Sequence, residues 1–243
     1  MSDETPTVVL VHGAFADASS WNGVVERLLA KGVRVTAPAN PLRGIGIDAG
    51  YIAGVLEQVP GPILAVGHSY GGAVLSNAAT NVANVVGLVY VAAFAPDEGE
   101  VLGQVTAGSK DSVLDTALMP LHYTSGDSGE SAVEFLIDPA KFHDAFAADL
   151  PAAQSAVLAA TQRPVAEAAF SEPSGPPAWK RLPSWAVVAS SDTAAGADVV
   201  RSMAARAGSK ITELEGSHVI MISQPQAVSE VILDALSQVG SAS

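Results

Sequence analysis

The sequence predicts an α/β protein built on a doubly wound, mainly parallel sheet. Short, almost continuously apolar runs recur along the chain, the pattern of strands buried on both faces of a parallel sheet. Helical patterns lie between most of them, and strand–helix alternation is how such a sheet is covered on both sides. Hydrophobic residues make up 49% of the 243, against 15% charged, which supplies a sizeable core and excludes a mostly disordered chain. This length fits one domain better than two.

The strand runs, in order, are TVVLVH (Thr7–His12), VRVTAP (Val33–Pro38), ILAVGH (Ile63–His68), VVGLVYVA (Val85–Ala92), SWAVVA (Ser184–Ala189) and KITEL (Lys210–Leu214), about six parallel strands in all. Between the first two, Ser19 and Ser20 offer an N-cap. Trp21, Val24, Val25, Leu28 and Leu29 follow at helical spacing, and Gly32 ends the helix. Gly71–Ala79 is small and apolar, as a helix packed on a sheet should be. Val199–Ala207 separates the last two strands. Pro225 suits a first helical position, with Val228, Val231, Ile232 and Ala235 as the inner face of a C-terminal helix.

One segment breaks the rhythm. From Pro96 to Leu182 no run reads as a buried strand. Lys141–Ala148 and Pro151–Thr161 are helix-like, Ser125–Ser131 is a Ser/Gly/Asp patch, and Pro173–Pro177 is proline-rich. So long an insertion between two strands predicts a helical cap over 97–182 on a core of 1–96 and 183–243, rather than a loop. There is no internal repeat.

Charge narrows the partners. Twenty-five acidic residues against twelve basic ones leave a net charge of −13, and Lys180-Arg181 is the one adjacent basic pair. That surface repels phosphate backbones and anionic lipid, so neither nucleic acid nor a membrane is an expected partner. The absence of cysteine excludes disulfides, thiolate metal sites and a cysteine nucleophile. The acidic start Met-Ser-Asp-Glu-Thr-Pro is unlike a signal peptide and no apolar run reaches membrane-spanning length, so the expected location is cytoplasmic. The oligomeric state is left open, a homodimer included.

The chemistry centres on Gly67-His68-Ser69-Tyr70-Gly71. The five-residue pattern alone arises by chance roughly once in ten chains of this length. Here it follows a buried strand and opens a helix, the context of a nucleophile elbow. The serine of such a turn projects at the carboxyl end of the sheet, and Gly67 and Gly71 make room for it. A nucleophilic serine needs a base, and there are five histidines. His68 lies inside the elbow and points away from Ser69. His122 and His143 fall in the cap and read as surface or packing residues, and His12 as a support for the loop after the first strand. His218, in EGSHVIMISQP after the last strand, returns to the sheet edge where Ser69 sits.

The acid should follow the next-to-last strand. SWAVVASSDTAAG puts Asp192 there, where it would hold the imidazole in one tautomer. Asp97 and Glu98, after the fourth strand, are the rivals; Asp198 and Glu215 are less well placed. An oxyanion hole needs two backbone N–H donors, expected from Tyr70 and, in the loop HGAFADASSW, from Ala14, with Gly13 letting the backbone approach the substrate.

The stretches VLVHGAFADASSW, VGHSYGGAVLSNAA, LVYVAAFAPDEGE and GSHVIMISQPQAV resemble the α/β-hydrolase superfamily, and within it the small methylesterase and hydroxynitrile-lyase-like group. The resemblance spans nearly the whole chain. It implies Ser69 as nucleophile, His218 as base, Asp192 as acid, and Ala14 and Tyr70 as oxyanion donors. Lyase members typically carry a polar residue where this chain has Gly13, and some a lysine where it has Val219; both positions favour the esterase side. The chain departs from the group after the acid, where relatives often continue Asp-x-x-Ile-Pro-Pro. Here Asp192-Thr-Ala-Ala-Gly-Ala predicts a looser loop.

The expectation is a serine carboxylesterase acting on small to medium, largely apolar esters, with no cofactor and no metal. Alternatives are the same triad on a lactone, thioester or carbon–carbon bond or in peracid formation, a hydroxynitrile lyase, or a ligand-binding receptor on the same fold.

Overall fold

The computed structural model describes residues 5–125 and 129–240. The first four residues, part of the acidic N-terminus, and three residues of the Ser/Gly/Asp patch lie outside the described residues.

Every expected strand forms. Strands β1 (Thr7–Val11), β2 (Val35–Thr36), β3 (Ile63–His68), β4 (Val85–Val91), β8 (Ser184–Ala189) and β9 (Lys210–Leu214) make one parallel sheet in the order β2-β1-β3-β4-β8-β9. The chain crosses from one half of the sheet to the other between β1 and β3. At that switch point of an open α/β sheet, the crevice beyond the carboxyl ends of the strands is open to a ligand.

Burial on both faces explains the unbroken apolar runs. Along β1, Val8 and Leu10 pack on one face with helices α1 (Asn22–Ala30) and α10 (Pro225–Gly240), while Val9 and Val11 pack on the other with α2 (Ile45–Glu57) and α3 (Tyr70–Ala78). Helix α8 (Ala197–Arg206) covers that second face through Val200 and Met203. No helix among the described residues is long and apolar enough to cross a membrane.

Three local readings change. The expected second strand shrinks to Val35–Thr36, a sheet edge that pairs with β1 alone. The cap of the first helix is not Ser19 or Ser20. Asp17 caps a single 3₁₀ turn (Ala18–Trp21), accepting from the Ser19 N–H, and α1 starts after it. Helix α2 has no counterpart in the sequence reading, because Gly46, Gly50 and Gly54 lower its intrinsic propensity. Burial of Ile45, Ile52 and Leu56 holds it instead.

The cap is not all helical. Its helices are α4 (Leu102–Ala107), α5 (Pro139–Phe146), α6 (Ala152–Thr161) and α7 (Ala168–Ser171). Between them lies a three-stranded antiparallel sheet of β5 (Leu118–Ser125), β6 (Glu130–Ile137) and β7 (Val165–Ala166). Strands β5 and β6 are half-exposed, so they lack the apolar runs that mark the main sheet, and β7 is only two residues long. Pro120 also argues against a strand, yet β5 is an edge strand, where proline is tolerated. Arg43, in the loop before α2, ties this sheet to the core. It pairs with Glu134 at 2.8 Å, donates to the Pro164 carbonyl at 2.9 Å and lies over the Tyr123 ring.

Helix α3 crosses β1 so closely that a Cβ on Gly71 would stand 2.5 Å from the Val11 carbonyl oxygen and 2.8 Å from that of His12. Both obstacles are backbone. Gly71→Ala is therefore expected to lower stability by about 1–3 kcal/mol, read as a lower urea midpoint at unchanged m-value.

Candidate active site

Three loops at the carboxyl edge of the main sheet bring the expected site residues together. The turn from β3 into α3 carries Ser69, the loop after β8 carries Asp192, and the loop after β9 carries His218. His218 Nε2 stands 2.8 Å from Ser69 Oγ, and His218 Nδ1 2.8 Å from Asp192 Oδ2. All three side chains are buried. Asp192 needs its proton-bearing neighbour on Nδ1, which leaves Nε2 as an acceptor facing the serine hydroxyl.

Ser69 has φ 52°, the left-handed region that L side chains rarely adopt. Its carbonyl accepts from the N–H groups of Gly72 and Phe94, and its own N–H donates to Val91, so the turn is held from three sides. A Cβ on Gly67 would lie 2.7–2.8 Å from the backbone of Gly71 and Gly72, which is why the strand can turn so abruptly into α3. The helix then directs its N-terminus at the serine, favouring negative charge there.

The N–H groups of Ala14 and Tyr70 donate to no protein acceptor among the described residues. Tyr70 is held from behind: its hydroxyl donates to Asp48 at 2.8 Å, and Asp48 also accepts from the Arg43 N–H. Gly13 is also packed against the elbow. A Cβ there would meet Ser69 Cβ at 2.7 Å and the His68 carbonyl at 3.0 Å, so it would intrude on the elbow.

The rival acids sit elsewhere. Asp97 is at the surface, paired with Lys180, and that hydrogen bond holds its carboxyl below the usual range. Glu98, beside it, bonds to the Asp97 carboxylate only through its backbone N–H. Asp198 accepts from Ser109 and from the Lys110 N–H, and the Glu215 carbonyl accepts from Gln224. Nor is the acid loop loose. Asp192 Oδ1 accepts from the N–H groups of Ala194 (2.9 Å) and Ala195 (3.0 Å), an arrangement its own side chain builds. The segment before β5 adds Ser112 Oγ on the Ala194 carbonyl and the Val113 N–H on that of Thr193.

His12 is the loop support expected of it. Nδ1–H donates to the Gly13 carbonyl and Nε2 accepts from the Asn40 N–H, both at 2.9 Å. Burial pushes its pKa down to about 4, so it stays neutral. His68 donates from Nε2 to the His218 carbonyl and is likewise held neutral by burial. His122 is exposed on β5, and His143 is half-buried on α5. No group of three or more His, Asp or Glu side chains among the described residues is arranged to hold a metal ion.

Sequence reasoning missed the aromatic roof. Phe146 of the cap stands 4.9 Å from the His218 ring and meets Phe15 edge-on, and Phe170 stacks on the other side of Phe15. Phe15 and Phe146 help line a narrow cleft of about 30 Å³, with Phe142, Leu158, Val219 and Met221. Phe170 borders a larger one of about 230 Å³, with Leu114, Leu118 and Phe135. Contacts across 130 residues have no local signal in sequence.

Residues 8–231 match the profile of the alpha/beta hydrolase family over most of the chain. The chain belongs to that family. Solved structures agree in fold. Polyneuridine aldehyde esterase is 20% identical with a TM-score of 0.78, the match covering 96% of this chain and 99% of that one. A pyrethroid hydrolase from Sphingobium faniae JZ-2 is 21% identical (TM-score 0.77, 96% and 97%). A methylesterase from Arabidopsis is 19% identical (0.77, 96% and 99%). These hydrolase neighbours are methylesterases and related enzymes, the group the sequence resembles. No curated protein matches the chain in a sequence search.

Two outcomes follow for this hydrolase. Gly13→Val is expected to displace Ser69, lowering both the thermal midpoint and reactivity toward a fluorophosphonate; retained labelling at unchanged stability would contradict the close packing of the two loops. His12 supplies a pH dependence. Its folded pKa lies below the ordinary 6.5, so the unfolded chain takes up a proton that the folded one refuses. Stability is full above pH 6.5 and falls as the pH drops toward about 4, by about 3 kcal/mol from this residue. Urea titrations between pH 7 and 5, above most carboxylate titration, should show the slope, and His12→Gln should reduce it, leaving the part contributed by His68, which burial also holds neutral.

Proposed function

We propose that the protein is a serine carboxylesterase hydrolysing small to medium, largely apolar esters through an acyl-enzyme. The observation that carries this reading is the unbroken hydrogen-bonded line Ser69–His218–Asp192, with 2.8 Å at each link, beneath an apolar roof.

Ser69 Oγ attacks the ester carbonyl while His218 Nε2 takes its proton. The carbonyl oxygen becomes an oxyanion, received by the N–H groups of Ala14 and Tyr70, which have no competing acceptor among the described residues. Asp192 stabilises the imidazolium by accepting from Nδ1. Its other oxygen is occupied by Ala194 and Ala195, so the carboxylate cannot rotate away. His218 then protonates the leaving alcohol, and the acyl group stays on Ser69. A water activated by His218 attacks the acyl carbon, and the acid departs as Ser69 regains its proton.

The apolar side chains around the site, Phe15, Phe146 and Phe170, and the apolar cleft that Phe170 borders support a largely apolar substrate. That structural neighbours are named an esterase and a methylesterase supports ester hydrolysis here. Gly13 and Val219, at positions where lyase members of the group differ, support hydrolysis over cyanohydrin cleavage.

Hydrolysis of p-nitrophenyl esters of increasing acyl length tests the reading. Folded Ser69→Ala should lose activity by several orders of magnitude, with fluorophosphonate labelling confined to Ser69 in the wild type. Asp192→Asn should lower kcat by up to ~10⁴-fold, as in a protease triad whose acid is made an amide, while Asp97→Asn stays near wild type. Collapse of Asp97→Asn with a near-normal Asp192→Asn would move the acid to the earlier strand. Failure of the wild type on every ester, with no labelling, would remove the esterase reading.

A further inference from the structure

The chemistry proposed above uses His218, Ser69 and Asp192, yet a second imidazole lies against them and takes no part. His68 is completely buried. It is the last residue of β3 and directly precedes the serine. Its ring centre is 4.8 Å from that of His218, and Trp21 meets it edge-on from the other side. Nε2 stands 3.0 Å from the His218 backbone carbonyl, which can only accept, so Nε2 carries the hydrogen. Nδ1 is buried with no partner among the described residues.

An imidazole buried with one nitrogen unsatisfied lowers stability, and a leucine or methionine would fill the same space without that cost. The donor at Nε2 is what an apolar side chain lacks. That donor ends on the backbone of the very residue whose ring must face Ser69. We propose that His68 is a positioning residue: by donating to the His218 carbonyl from the elbow, it sets the loop that carries the base at the height from which Nε2 reaches Ser69 Oγ.

Other contacts hold that loop, among them the Gln224 side chain on the Glu215 carbonyl three residues from the base, and they compare unfavourably. Ser217 Oγ donates to Asp149 of the cap, but Asp149 is exposed and water competes for its carboxylate. The Ser191 N–H donates to the Gly216 carbonyl at 3.0 Å, which binds the loop two residues away from the base and to the acid loop rather than to the nucleophile. Of these, only the His68 bond joins nucleophile turn and base directly, and it does so where no water competes. Burial and the neighbouring His218 ring hold His68 neutral, so it adds no repulsion when His218 becomes cationic.

The inference rests on the esterase reading for its kinetics, so the test carries a readout that needs no substrate. His68→Leu keeps the volume and removes the donor; His68→Gln keeps an N–H that can reach the same carbonyl. On a p-nitrophenyl ester, His68→Leu should lower kcat roughly 10- to 100-fold with little change in KM, because a small misplacement of a catalytic group costs that much. His68→Gln should recover most of it. In proton NMR, the downfield Nδ1 proton of His218 bonded to Asp192 should remain in wild type and His68→Gln and shift or broaden in His68→Leu. If His68→Leu does not fold, His68→Asn, too short to reach the carbonyl, takes its place with the same expectation. A folded donor-less variant with wild-type kcat and an unmoved His218 signal overturns the proposal, as does a His68→Gln variant no better than His68→Leu. Should the wild type hydrolyse no ester, the esterase reading fails by itself and the His218 signal alone decides this one.

Discussion

Ser69 is held at φ 52° with its side chain projecting from a turn that has no room for any Cβ on either flank. Such a conformation is worth of order 1–3 kcal/mol of strain and survives only where the surroundings over-determine it. Here the β3–α3 connection is locked against β1 by Gly71, against its own helix by Gly67, and against the first loop by Gly13. The main sheet is therefore the scaffold of one residue's backbone angle. The alternate burial of Val8 and Leu10 against Val9 and Val11 is what lets β1 be approached from both faces at once.

Three histidines end up buried near that turn, and burial treats them alike while hydrogen bonds give each a different role. His12 bridges Gly13 and Asn40, His68 bridges the elbow to the base loop, and His218 bridges serine to acid. The first two are held neutral by desolvation, which suits groups that donate and accept without changing charge. His218 differs in having a buried carboxylate on one nitrogen and a hydroxyl on the other. A proton arriving at Nε2 then has a counter-charge waiting across the ring.

The cap contributes more than a cover. Phe146 reaches down to His218, Thr193 of the acid loop bonds to the Asp144 carbonyl, and Ser112 and Val113 clamp Ala194 and Thr193. Core and cap are joined again through Arg43 and Glu134. The cap is thus part of what makes the acid loop stiff, although Thr-Ala-Ala-Gly-Ala contains nothing that a local rule would call rigid.

By itself the sequence determined the main sheet and the candidate site positions. Both are written in short-range patterns: apolar runs for strands buried on two faces, a serine between glycines where strand gives way to helix, and a histidine after the last strand. Where burial is one-sided or local propensity is poor, those patterns fade. The half-exposed hairpin of β5 and β6 and the glycine-bearing α2 went unread for that reason. The sequence preferred Asp192 to Asp97 by its place after the next-to-last strand; only the tertiary structure brings Asp192 within 2.8 Å of His218 and pairs Asp97 with Lys180 instead. The tertiary structure also packed Gly13 against the elbow and set His68 facing the carbonyl of His218. Each of these depends on groups far apart in the chain meeting within 3 Å or so, and spacing along a sequence carries no record of such meetings.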